Sequence, residues 1–297
     1  MALTLESAVT ESIDLQGFIE QVDRCLDPND MDSLAACAPY LKALANNRSF
    51  VTEELNRQLG SWRDFQTTNR YTSQTMTFGR GKHFFVRANI WTPLSARQEI
   101  REAEERLFFY HVPHDHNFSF LTVGYFGPGY ETIIYEYDPS EIAGVVGESA
   151  NLHFLERTSL TEGKIMLYRA CRDIHSQEDA PQFSVSLNLM VNSPSVNSRS
   201  QFFFDLQNGS ISGVVPTPNT SRMIVCQLAR HLGDGRTVEL LDGLATSHDS
   251  ERMRASAYEA LATLERGSAE QIWKRALLDS HALVTDKARK SLSDLQN

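Results

Sequence analysis

Residues 111–138 read HVPHDHNFSFLTVGYFGPGYETIIYEYD, and this stretch decides the fold. Two runs rich in β-branched and aromatic residues, FSFLTVGYF (118–126) and YETIIYEY (130–137), flank the turn residues Gly127-Pro128-Gly129. That arrangement predicts a β-hairpin. His114 and His116 stand two residues apart at the entrance of the first strand. Side chains in a strand alternate, so the two imidazoles share one face and Asp115 points to the other.

Outward from the hairpin, similar segments recur at roughly ten-residue spacing. They are YTSQTMTF (71–78), HFFVRANIW (83–91), RLFFYHV (106–112), LHFLER (152–157), KIMLYRA (164–170), FSVSLNLMV (183–191), SQFFFDL (200–206) and SISGVV (210–215). Turn signals such as GRGK, DPSE, TEGK and QNGS separate them. The pattern predicts an antiparallel sandwich or barrel over residues 67–218, with one helix around 95–105.

Both flanks are helical in character. In residues 1–66, Ile13, Phe18, Ile19, Val22 and Leu26 follow a 3.6-residue period, Asp30 or Asp32 can cap a second helix, Pro39 interrupts or restarts it, and SFVTEELNRQLGSW (49–62) forms a third. Residues 219–297 return to helical periodicity. There Ser247-His248 and Ser280-His281 recur 33 positions apart, a spacing that suits paired HEAT-like helices or a plain helical appendage. The expected architecture is therefore mainly β with helical flanks, in three segments: 1–66, 67–218 and 219–297.

Composition narrows the partners. The 297 residues are 41% apolar and 22% charged, which excludes wholesale disorder. The net charge of −10 divides as −6, −4 and 0 over the three segments, and no basic stripe exists. Nucleic acid and anionic membrane surfaces are thus disfavoured, leaving a small-molecule or peptide ligand. No apolar run approaches the ~20 residues of a bilayer span. The acidic N-terminus lacks the basic start of a signal peptide, and Cys25, Cys37, Cys171 and Cys226 form no CxxC pair; a cytoplasmic protein with reduced thiols is expected.

A pair of histidines needs a third donor to make a useful metal site. His175 follows the strand KIMLYRA and a short turn, where a later hairpin can lie beside the HDH strand. His111 competes for the third place, and ordinary solvated or core histidines are the alternative. Three neutral imidazoles leave the charge of a divalent transition metal uncompensated and about three positions open, which favours anionic ligands. Phe118, Phe120, Tyr135 and Tyr168 are the expected aromatic neighbours, with the two tyrosines as candidates for a functional role. Arg87 either holds an anionic substrate group or pairs with an acid in 99–105.

HDH, the glycine turn and a His opening a later hairpin are similar to the two-motif pattern of the cupin β-barrel. In more detail HDH, YETIIYEYD and SVSLNL…SP (184–194) resemble the cysteine and thiol dioxygenases. The resemblance implies a double-stranded β-helix, iron(II) held by His114, His116 and His175, dioxygen and a small substrate as reactants, and Arg87 as a clamp on the substrate carboxylate. The sequence departs from that pattern at Phe120, where many cupins place a Glu. Glu131 lies beyond the turn. Asn188 and Met190 stand where the thiol dioxygenases have a relay His and Tyr. The C-terminal helices lie outside the resemblance and are expected to serve a homodimer contact or a protein partner.

Overall fold

The computed structural model describes residues 3–61, 63, 66, 67, 69, 71 and 73–296. Two compact units emerge: Met1–Tyr137 with Asn151–Ser193, and Asp138–Ala150 with Pro194–Asn297.

The first unit begins with β1 (Leu3–Leu5) and four helices, α1 (Leu15–Cys25), α2 (Met31–Ala36), α3 (Ala38–Asn46) and α4 (Phe50–Gly60). Asp14 caps α1 by accepting from the Gly17 amide, and Asp30, rather than Asp32, caps α2. Pro39 sits in the first turn of α3, where its missing N–H costs nothing, so it restarts the helix. Trp62, at the end of the expected third helix, lies outside the described residues.

The strands follow as β2 (Thr75–Arg80), β3 (Phe84–Trp91), β4 (Phe120–Phe126), β5 (Glu131–Glu136), β6 (His153–Ser159), β7 (Ile165–Tyr168), β8 (Asp173–Gln177) and β9 (Ser184–Val191), with α5 (Gln98–Phe108) between β3 and β4. They form an antiparallel six-stranded sheet, β1-β7-β4-β9-β3-β2, and an antiparallel three-stranded sheet, β6-β5-β8.

Alternation along the central strands builds two cores. Val86, Ala88, Leu121, Val123, Leu187 and Leu189 turn to one face of the large sheet and pack against Phe18, Val22, Leu41 and Leu44 of the N-terminal helices. Phe120, Met166, Tyr168 and Met190 turn to the other face and meet Ile134 of the small sheet. β4 and β9 are buried on both faces because each face is covered. The edge strand β1 carries no sequence signal beyond a Leu-Thr-Leu triplet. Among the features invisible in the sequence, Cys25 Sγ and Cys37 Sγ lie 3.4 Å apart, both as free thiols.

The second unit joins β10 (Phe202–Asp205) and β11 (Ser210–Val214) to five helices: α6 (Pro218–Leu232), α7 (Gly235–Ser247), α8 (Glu251–Leu264), α9 (Ala269–Ala276) and α10 (Ala282–Gln296). Leu241, Tyr258, Leu261, Trp273 and Val284 form its core. The two histidines spaced 33 apart occupy equivalent places: His248 Nδ1 accepts from the Ser250 amide and His281 Nδ1 from the Leu283 amide, each at the start of the next helix. α6 leaves Ile224, Val225, Leu228 and Leu232 exposed. No described helix is long and apolar enough to cross a membrane.

Candidate metal centre

Backbone pairing builds the site. The segment after α5 runs beside β8, where His114 and His175 exchange two hydrogen bonds: the His114 amide donates to the His175 carbonyl (3.1 Å) and the reverse bond measures 2.9 Å. Directly paired antiparallel residues present their side chains on the same face. His116, two residues on, joins them. The turn into β8 is fixed by the Cys171 amide, which donates to the His116 carbonyl, with Cys171 in the left-handed region (φ +53°). Arg169 also clamps that turn through Asp173 and Glu136.

One ring nitrogen from each of His114, His116 and His175 lies within 4.8 Å of the others. His116 Nε2 and His175 Nε2 face each other at 2.9 Å. A transition metal about 2.1 Å from each of two imidazole nitrogens at a right angle requires them to be about 3.0 Å apart. The convergence of borderline-soft, neutral donors therefore suits iron(II), zinc, nickel or copper.

The surroundings keep these donors neutral. Burial pushes His114 down to about 4 and holds His116 and His175 well below the ordinary histidine range; the Arg87 cation depresses all three further. His114 Nδ1–H donates to the Val112 carbonyl at 2.7 Å, which fixes the tautomer and leaves Nε2 as the free lone pair. Gln177 Nε2 lies 2.8 Å from His175 Nδ1 and donates to it. Turning the carboxamide by 180° would set its oxygen there to accept from Nδ1–H and would leave His175 Nε2 with a free lone pair, as at His114. Asp115 points away, as strand alternation demands, and its buried carboxylate accepts from the Tyr137 hydroxyl at 2.6 Å.

Aromatic rings close the centre. Phe118 stacks on His116 at 4.7 Å, Phe120 meets His116 edge-on at 5.1 Å, and Tyr168 lies 4.8 Å from His175 while stacking on Phe120. Burial raises the Tyr168 hydroxyl pKa, so it stays protonated at neutral pH.

Arg87 is on this interior face. Its guanidinium lies 4.7 Å over the Tyr71 ring, its Nε is buried without a hydrogen-bond partner, and no carboxylate among the described residues pairs with it. Three acids of α5 are engaged elsewhere: Glu102 accepts from Gln98, Glu104 accepts from the Ser95 amide and Glu105 pairs with Arg101. Asn188 lies directly opposite Arg87 on β9, with Nδ2 also unpartnered.

Three candidates lie elsewhere. His111 faces Glu178 and Asp179 at 3.4 and 3.6 Å and stands apart from the three-His cluster. Glu131 pairs with Arg157. Tyr135 lies beside Ile134, the residue that pairs with His175, so it takes the opposite face and meets Phe154. Gln177 was legible in principle, because it stands two residues after His175 and shares its face.

No family model matches the chain, and no curated protein matches it. Solved structures give distant likenesses. A DMSP lyase structure aligns at TM-score 0.25 and 11% identity over 40% of this chain, and a hydroquinone 1,2-dioxygenase at 0.27 and 12% over 43%. A vicilin from Solanum melongena aligns at 0.28 and 11% over 60%. The chain spans 47%, 69% and 42% of those proteins, respectively.

Proposed function

We propose that this chain is a mononuclear metal enzyme of the cupin-barrel kind, an iron(II)-dependent oxygenase that acts in the cytoplasm on a small anionic substrate such as an amino acid, a thiol or a peptide side chain. The observation that carries the reading is the convergence of three neutral imidazole nitrogens within 4.8 Å, beside a buried arginine without a carboxylate partner among the described residues. His114, His116 and His175 would hold the metal, which supplies an open cationic centre for dioxygen activation. Every other contribution belongs to the chain. The Val112 carbonyl and Gln177 orient the imidazoles, Phe118 and Phe120 exclude water, Tyr168 offers a protonated hydroxyl, and Arg87 binds the substrate anion. A guanidinium held in a dry interior gains more from an anionic ligand than it would in water. The exposed apolar row on α6 supports a protein partner or a second copy meeting the C-terminal helices.

The test is oxygen uptake by protein loaded anaerobically with iron(II) and presented with amino acids and small thiols. Substrate-dependent consumption of dioxygen is expected. Tight metal binding without oxygen consumption would reassign the centre to non-redox chemistry or ligand sensing. For the anion clamp, Arg87→Lys keeps the charge but loses the planar fork, so kcat/KM should fall about tenfold or more with metal content and Tm nearly unchanged.

A further inference from the structure

Two of the chain's four cysteines lie side by side in the helical layer of the first unit. Cys25 closes α1, and Cys37 stands where α2 ends and α3 begins. A disulfide needs about 2.05 Å between sulfurs, so this pair, at 3.4 Å, must close by about 1.3 Å. The segment between them is folded on itself: the Ser33 hydroxyl donates to the Asp27 and Asp30 carbonyls and accepts from the Asp27 amide. That network holds the two sulfurs together with no bond between them. The slack is on the Cys25 side, since α1 stops there and Leu26 is extended. Cys37 is fixed: it is fully buried in the core with Phe18, Val22, Leu34 and Leu41, and its thiol donates to the Ser33 carbonyl at 3.3 Å. Access divides the pair as well. Cys25 is exposed, whereas burial, with Cys25 beside it, raises the Cys37 pKa far above that of an ordinary thiol. Cys37 is therefore shielded from reagents in solution and meets the sulfur of Cys25.

We propose that Cys25 and Cys37 form a reversible disulfide site, oxidised by a small-molecule disulfide of the glutathione class. The Cys25 thiolate attacks one sulfur of the small disulfide, so that a mixed disulfide forms on Cys25 and one small thiol leaves. The Cys37 sulfur then attacks Cys25 Sγ; the mixed disulfide breaks, and the second small thiol departs with the Cys37 proton. Two protein thiols are oxidised to one disulfide while one small disulfide is reduced to two thiols. The exposed cysteine receives the reagent and the buried one resolves it. The bond ties the last turn of α1 to the start of α3. That turn of α1 carries Asp23, whose carboxylate accepts from the Lys82 amide between β2 and β3 at 2.8 Å. Leu41 and Leu44 of α3 pack on the outer face of the large sheet. Closing the loop restricts the unfolded chain, so the bond locks this helical cover in place. The lock needs neither the three-His centre nor the proposed oxygenase reaction.

Full-length protein incubated with oxidised glutathione, alkylated with N-ethylmaleimide and digested with trypsin tests the site by mass spectrometry. Both cysteines fall in one tryptic peptide, Cys25–Lys42. The expected product is that peptide lighter by two hydrogens and free of maleimide, with both thiols restored by dithiothreitol. Oxidised protein should unfold about 6–12 °C higher than reduced protein, the shift expected for a closed loop of this length. Cys25→Ser should stay unlinked, and oxidised glutathione should leave its Tm at the value found in reducing buffer. Cys37→Ala should stop at the first step, with glutathione held on Cys25. Maleimide on both cysteines of the oxidised wild type, glutathione retained on its Cys25, or a bond from Cys25 to Cys171 or Cys226 would overturn the site. A linked peptide in protein whose Tm is unchanged or lower would overturn the lock.

Discussion

His116 Nε2 and His175 Nε2 meet at 2.9 Å across 59 positions of sequence. Two ring nitrogens at that distance need a shared proton or a cation between them, since opposed lone pairs repel. Burial and the Arg87 charge keep both rings neutral, so without a cation one ring's Nε2–H donates to the other's lone pair. A cation between them would take the place of that proton, and His114, locked by the Val112 carbonyl, would add the third lone pair.

Gln177 holds the far side of His175. Gln177→Leu removes that hydrogen bond and keeps the volume, so the ring loses the partner that orients it. Metal affinity should fall about 10–100-fold, as for outer partners of ligating histidines generally, while circular dichroism stays unchanged. Titration against a fluorescent chelator measures it.

Glu136 supplies a pH-dependent stability term. Hydrogen bonding to Arg169, strengthened by Arg172, pulls its pKa down to about 2. A carboxylate depressed in the folded state adds stability that is fully present above the unfolded value of about 4.3 and disappears as pH falls through about 2. Its side chain is 23% exposed, so solvent screening trims the effect to about 1–2 kcal/mol. Glu136→Gln should therefore lower stability at pH 7 by that amount and flatten the loss between pH 4.5 and 2, as read by urea unfolding across pH.

Arg254 ties α8 to the turn after α9. Its Nε and one terminal nitrogen grip Asp279 at 2.7 and 2.8 Å, and its other nitrogen donates to the His248 carbonyl. Both side chains are nearly buried. Arg254→Ala leaves the Asp279 carboxylate without its charge partner and should destabilise the helical unit by about 3 kcal/mol or more. Thermal unfolding would show an early transition, while the first unit, which carries the histidines, keeps its own.

Much of this is legible in the sequence. Period-two alternation places His114 and His116 on one face, and the strand after KIMLYRA brings His175 to them. The caps of α1 and α2 and the restart at Pro39 were equally local. What sequence could not supply was register. Tyr135 and Tyr168 look alike as strand aromatics. Only the pairing of Ile134 with His175 turns Tyr135 outward, and only the pairing of Tyr168 with Phe120 turns Tyr168 inward. His111 seemed a rival ligand by spacing, but its left-handed backbone (φ +59°) carries its ring to Glu178 and Asp179.

The central claim is that three histidines from two segments hold one metal ion. Elemental analysis of purified wild-type protein and of the His114→Ala, His116→Ala and His175→Ala variants, after reconstitution with iron(II) under anaerobic conditions, tests it most directly. One ion per chain in the wild type and near zero in each variant, with circular dichroism unchanged, is the predicted result. Full occupancy in the His175→Ala variant, or no metal bound by the wild type, would contradict the account.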